Sequence, residues 1–151
     1  MLDWQWKTFG ELSARDVYDM LALRSAVFVV EQQCVYQDID GADRDALHLL
    51  GWHTGASGRT LGAYARVFAP GLKFDEAAIG RVIAAPAMRG TGAGRALMAE
   101  ALAGIAQHWP GQATRISAQR YLERFYASFG FTVCSEPYLE DGIPHIDMLR
   151  V

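Results

Sequence analysis

At 151 residues the chain has the size of one domain, so an assembly of separate catalytic and regulatory domains is not expected, and residues 1–151 are read as a single unit. A hydrophobic content of 51% beside 21% charged residues and 11% aromatics can bury a sizeable core, which excludes a mainly disordered chain. Fourteen Lys and Arg against seventeen Asp and Glu leave a net charge of −3, without the positive field that drives nonspecific binding to nucleic acid, so no such partner is expected. Cys34 and Cys134 stand in no CxxC pairing suited to zinc or a redox dithiol and are read as reduced thiols. No basic segment leads into an apolar run at the N-terminus, and no stretch approaches the ~18 apolar residues of a membrane span. A cytoplasmic protein without a membrane partner is the expectation.

The alternation of Trp4, Trp6 and Thr8 predicts a first strand, and Ser13-Ala14-Arg15-Asp16 reads as a capping box with Asp in place of Glu. Val17, Met20, Leu21, Leu23 and Val27 then recur at helical spacing, with no Gly or Pro to stop the helix through Phe28 to Gln32. Tyr36 to Asp45 reads as an acidic loop. Apolar runs at Leu47 to Trp52 and Thr60 to Phe68 flank a glycine-containing reversal, which predicts an antiparallel pair, and Ala77 to Ile83 is a further strand. Leu97, Met98, Ala101, Leu102 and Ile105 mark the strongest helix, closed by Trp109-Pro110-Gly111. Ala113 to Ala118 reads as a strand, Tyr121 to Phe129 as a helix, and Phe131 to Val133 and His145 to Leu149 as two closing strands. This order, β-α-βββ-α-β-α-ββ, predicts a mixed α/β layer architecture. Trp4, Trp6 and Trp109 are read first as core and second as material for a homodimer contact.

One stretch carries chemistry. Ala85 to Met98 turns from a strand into an amphipathic helix through Arg89-Gly90-Thr91-Gly92-Ala93-Gly94-Arg95. Three glycines let backbone N–H groups approach an anion, the helix start adds unpaired donors and the positive dipole end, and Arg89 and Arg95 can add charge. A glycine-rich turn that merely caps a helix is the plainer alternative. No Gly-Lys-Ser/Thr follows, and the spacing is GxGxG in mid-chain, so the phosphate loops of ATP and dinucleotide sites are excluded as close matches.

Arg89-x-x-Gly92-x-Gly94 after the strand Gly80-Arg81-Val82-Ile83 resembles the R/Q-x-x-G-x-G/A motif of the GNAT acetyltransferases, and Phe125-Tyr126-Ala127-Ser128-Phe129-Gly130-Phe131 resembles that superfamily's second signature. Val27 to Gln32, Asp38-Ile39-Asp40-Gly41 and Glu140 to His145 narrow the resemblance, which spans nearly the whole chain, to the small ElaA-like branch. The resemblance implies a GNAT-like acyl-CoA N-acyltransferase fold, with a central, mostly antiparallel mixed sheet flanked by helices. It implies acetyl-CoA as acyl donor, its pyrophosphate on residues 89 to 95 (Arg89, Gly90, Thr91, Gly92, Ala93, Gly94, Arg95) and its pantetheine along Arg81, Val82 and Ile83. It also places the general acid at Tyr126. Where many relatives carry an Asn that holds the cofactor arm, this chain has Gln119, which keeps the amide donor and acceptor at longer reach.

Each of these residues has a plainer role beside the functional one. Tyr126 shares a helix face with Leu122 and Phe129 and can be core; Tyr121 can be a cofactor neighbour or packing; Arg81 can bind a ligand, face solvent or pair with an acid. Glu31, Asp40, His48, Glu140 and His145 are all chemically able to serve as base, Glu31 equally as a cap or surface ion pair and His145 as a structural imidazole. Most of the acids at Asp38, Asp40, Asp43, Asp45, Glu140 and Asp141 are read as solvated loop, one or two of them as lining for a cationic amine. No metal-ligand spacing is present. The expected activity is direct acetyl transfer to a primary amine on a small molecule or peptide. The alternatives are transfer of a longer acyl chain, to which Arg24-x-x-x-Phe28 weakly points through its likeness to acyl-homoserine-lactone synthases, and a non-catalytic CoA sensor.

Overall fold

The Trp4 and Trp6 alternation produces β1 (Asp3–Thr8), the outer strand of an eight-stranded sheet in the computed structural model, which describes residues 1–151. The capping box forms as the sequence predicts. Ser13 Oγ accepts from the Asp16 N–H and the Asp16 carboxylate accepts from the Ser13 N–H, both at 3.0 Å, which starts α1 (Ala14–Arg24). The helix continues past Arg24 as expected, but in wider turns: Ser25–Glu31 is π-helical, with the Gln32 N–H bonded to Val27 O at 3.2 Å and the Cys34 N–H to Val29 O at 3.0 Å.

The predicted hairpin is β2 (Leu47–Gly55) and β3 (Gly58–Phe68), followed by β4 (Ala77–Ala84), α2 (Ala93–His108) and β5 (Thr114–Gln119). The helix expected from Tyr121 to Phe129 is shorter: a 3-10 turn over Arg120–Leu122 leads into α3 (Glu123–Ala127). After β6 (Thr132–Val133) comes a strand absent from the sequence reading, β7 (Tyr138–Glu140), joined to β8 (Ile143–Arg150) by Asp141-Gly142. Both turn residues have positive φ, 52° and 77°, as a two-residue type I′ reversal requires.

The sheet order is β1-β2-β3-β4-β5-β8-β6 with β7 also on β8, and every pairing is antiparallel except β4 with β5, which α2 connects. Because neighbouring strand residues face opposite ways, Leu49, Ala63, Ala65 and Val67 pack with Leu97, Met98, Ala101 and Ile105 of α2 on one face. Leu50, Tyr64 and Ile83 pack with Met20 and Val27 on the other. Trp4, Trp6 and Trp109 pack against the α2-side core, the first of the two roles the sequence offers.

Gly104 is the point of closest approach: a Cβ there would lie 2.1 Å from Cζ2 of Trp6. An indole wedged against the core cannot withdraw cheaply, so Gly104→Ala gains about 1 kcal/mol of helix propensity but incurs overpacking of about 1–3 kcal/mol. Urea unfolding of Gly104→Ala is expected to show a net loss of about 1 kcal/mol. Unchanged or raised stability would mean that α2 does not rest on Trp6.

Candidate active site

β4 and β5 pair only at Ala77 with Thr114 and Ala78 with Arg115. Beyond these residues β4 stays on β3 and β5 stays on β8, so the two strands part and a cleft of about 710 Å³ opens between them. The parting is reinforced by a bulge: Tyr64 faces Ile83 and Arg66 faces Gly80, so one β3 residue opposes Arg81 and Val82 together. Arg81 takes a φ of +50°, a strained value for a residue with a side chain, and its guanidinium is held at 2.8 Å from Asp38 Oδ1 and 3.0 Å from Asp38 O. Of the three roles considered for Arg81, its side chain takes the acid pair. The backbone of Val82 and Ile83 lines the cleft with no β5 partner beside it, while the Ile83 side chain is buried in the α1-side core.

The glycine loop lies at the mouth. Gly92 caps α2 in the left-handed region at φ +87°, with Gly90 at +79°, and a Cβ on either would meet nothing within 4 Å. No side chain caps the helix, so the first-turn N–H groups from Ala93 onward keep their donors, and the cradle is built from backbone. Thr91 Oγ1 donates to Met88 O at 2.5 Å, holding the turn before the helix. Arg95 reaches Ser128 Oγ at 3.2 Å and lies over the Phe129 ring at 4.7 Å.

Two bridges from the end of the π-helical segment span the cleft. Glu31 receives a bidentate pair from Arg89, at 2.5 and 2.7 Å, and that contact first of all lowers the Glu31 carboxyl. This is the ion pair read as one of Glu31's alternative roles. Gln32 and Gln119 exchange amide hydrogen bonds at 3.2 and 3.4 Å, so Gln119 faces the cleft with a protein partner already present.

Tyr126 lines the same cleft and belongs to the α2-side core, packed edge-on to Phe125 and Phe131. The two sequence readings of Tyr126 are therefore compatible. Burial pushes its phenol up, keeping it protonated at neutral pH. His145 is 7% exposed, stacked on Tyr138, with Nδ1 2.7 Å from Ile143 O. A carbonyl only accepts, so Nδ1 carries a proton, and Nε2 lies 3.4 Å from Glu140 Oε2. Tyr121 is exposed at the cleft wall.

His48 and Asp40 leave the list of bases. His48 is fully buried outside the cleft, Nε2 donating to Asp43 O at 2.8 Å and Nδ1 accepting from Tyr64 at 2.6 Å, and burial lowers it into the neutral form. Hydrogen bonds from Arg66 hold the Asp40 carboxyl far below the aspartate range. Asp40, Asp45, Glu140 and Asp141 are exposed, so most of the six acids are solvated as read, but two are not. Asp38 and Asp43 are buried: Arg24 bonds both, at 2.8 and 2.7 Å, Arg66 bonds Asp43 at 3.0 Å and Asp40 as well, and Arg81 completes the set. Burying two carboxylates, with the part-exposed Asp40 beside them, is tolerable only because three guanidiniums meet the set. The missed signal was the two arginines, Arg24 on the apolar stripe of α1 and Arg66 inside an apolar strand.

The chain matches the family model described as "Acetyltransferase (GNAT) domain" over residues 16–150. It is 46% identical to protein ElaA of Escherichia coli over 152 aligned residues, covering 99% of this chain and 97% of that protein. The crystal structure of E. coli ElaA superposes with a TM-score of 0.91 at 45% identity, and that of an acyl-CoA N-acyltransferase from Pseudomonas aeruginosa with 0.93 at 41%, each covering both chains in full. The divided sheet and the glycine-capped helix are thus those of an acyl-CoA N-acyltransferase, and the chain belongs to the GNAT acetyltransferase family. Within that family it falls in the ElaA-like branch. It is an acyltransferase that draws on an acyl-CoA donor. No helix is long and apolar enough to cross a membrane.

Asp43 is bonded by both Arg24 and Arg66; burial opposes its ionisation but those bonds outweigh it and lower the carboxyl. A depressed native pKa contributes stability that is complete above the unfolded value of about 3.9 and is lost as pH falls toward the native one. Asp43→Asn is therefore expected to lose about 3 kcal/mol at pH 7 and to show a shallower loss of stability below pH 4 than the parent, by urea unfolding across pH. Parallel pH profiles would contradict the pairing.

Proposed function

We propose that the chain is an acetyl-CoA-dependent N-acetyltransferase that moves the acetyl group directly onto a primary amine, with residues 1–151 acting as one catalytic domain. The observation that carries the reading is the glycine-capped start of α2 at the mouth of a cleft whose inner wall is unpaired β4 backbone. The residues fit the donor: an open backbone cradle with Arg89 beside it suits a diphosphate, and the Val82 to Ile83 edge suits an extended amide arm. When bound, acetyl-CoA supplies an activated acyl group on a thiolate leaving group.

The side chains divide the remaining work. His145 Nε2 takes the proton from the incoming ammonium, since Nδ1 is fixed as the donor to Ile143 O, and Glu140 stabilises the resulting imidazolium. A backbone N–H at Val82 or Ile83 meets the negative charge that develops on the carbonyl oxygen. Tyr126, held protonated by its burial, delivers a proton to the departing sulfur. Gln119 and Gln32 line the passage between the donor and acceptor ends, and Arg89 exchanges Glu31 for phosphate oxygens. The two unpaired thiols, Cys34 and Cys134, support a reducing, cytoplasmic setting.

Two variants test the assignment by thiol release with acetyl-CoA and an amine panel, alongside CoA calorimetry. Tyr126→Phe is expected to lower kcat by roughly 10²-fold with the CoA Kd nearly unchanged. Unchanged turnover removes the assigned acid, and tight binding without turnover in the parent marks a sensor. Glu31→Gln frees Arg89 and is expected to tighten CoA about two- to fivefold while kcat persists; a collapse of kcat would mark Glu31, not His145, as the base.

A further inference from the structure

The charges at the acceptor end of the cleft do not cancel as those behind it do. Arg24, Arg66 and Arg81 are matched by Asp38, Asp40 and Asp43, a closed set of three and three. Lys73, in the loop between β3 and β4, lies at the rim with no carboxylate in ion-pair range and no hydrogen bond, its ammonium 5.8 Å from the Phe68 ring centroid. Surrounding protein and then the like charges of Arg66 and Arg81 hold that ammonium below the usual lysine range, Glu140 and Asp40 offsetting them only in part, so an anion beside it would relieve the crowding. Lys73 lines both the main cleft and a smaller cavity of about 270 Å³ that adjoins it at Asp40 and Lys73. From the β7–β8 hairpin the cleft presents Glu140, Asp141 and His145. The cleft lining therefore offers one attachment point for an anion and another for a cation.

We infer that the acceptor is a small zwitterion, an amine that also bears a carboxylate, with Lys73 holding the carboxylate and the Glu140–His145 wall receiving the amine. The inference rests on the acetyl-transfer reading for its biological meaning, but the binding it claims is measurable without turnover. A plain polyamine would place positive charge against Lys73, and an uncharged amine would give its ammonium no counter-charge. Tyr36 and Phe74, also on the cleft wall, offer apolar surface to the side chain of such an acceptor.

The test is an NMR titration of the protein with the standard amino acids, each compared with its own carboxamide, which keeps the amine and removes the negative charge. At least one amino acid is expected to bind tenfold or more tightly than its amide. Lys73→Met should bring that ratio close to one, Lys73→Arg should keep it above threefold, and Lys73→Glu should invert it. Equal binding of acid and amide, no binding of any pair, or a ratio untouched in Lys73→Met overturns the inference. Acid-selective binding that depends on Lys73 supports it even where acetyl-CoA yields no product, an outcome that would instead count against the acetyltransferase reading.

Discussion

Two adjacent parallel strands ordinarily keep their ladder along their shared length, because an unpaired backbone group away from water is costly. Here β4 and β5 pair at two residues and then part, and the rest of the molecule is arranged around that separation. β4 is kept on β3 by a bulge at Arg81 and Val82, β5 is kept on β8 along its whole length, and α2 and α3 cover the face behind. The unpaired edge of β4 is left as a row of donors and acceptors inside a cleft. A ligand with amide groups of its own can complete the ladder, which is why the fold suits an extended acyl carrier.

The bulge depends in turn on the buried charge network. Arg81 adopts an unfavourable φ, and its guanidinium is clamped by a loop whose aspartates are themselves fixed by Arg24 from α1 and Arg66 from β3. The network ties three segments distant in the sequence to one place on the sheet, and its balance means that it adds little net field to the cleft. Such a cluster is a weak source of stability relative to an apolar core, yet removal of a single member leaves an uncompensated charge. Its role in this architecture is positional: it determines where the cleft wall stands.

The fold was largely legible from the residues because hydrophobic periodicity reports which face is buried. Trp4 and Trp6 alternate, Leu97 to Ile105 repeat at helical spacing, and Ser13 with Asp16 announces a helix start. The glycine loop was legible for a different reason, since only glycine tolerates the φ values at positions 90 and 92. What stayed hidden depended on partners far apart in the chain. Asp38 and Asp43 look like solvated loop until Arg24 and Arg66 are placed beside them, and nothing local to Glu31 announces its pairing with Arg89. The β7–β8 hairpin was readable in Asp141-Gly142 but was obscured by the prolines at 137 and 144, which suggested irregular turns.

The central claim is that the parted β4 edge and the start of α2 form one continuous backbone surface for the acyl donor. Amide hydrogen exchange with and without CoA reads that surface residue by residue. Slowed exchange is predicted at Val82, Ile83 and the amides from Thr91 to Arg95 together, with little change along β2 and β3. Binding that leaves those amides exchanging as before, or that protects a different part of the sheet, would contradict the account.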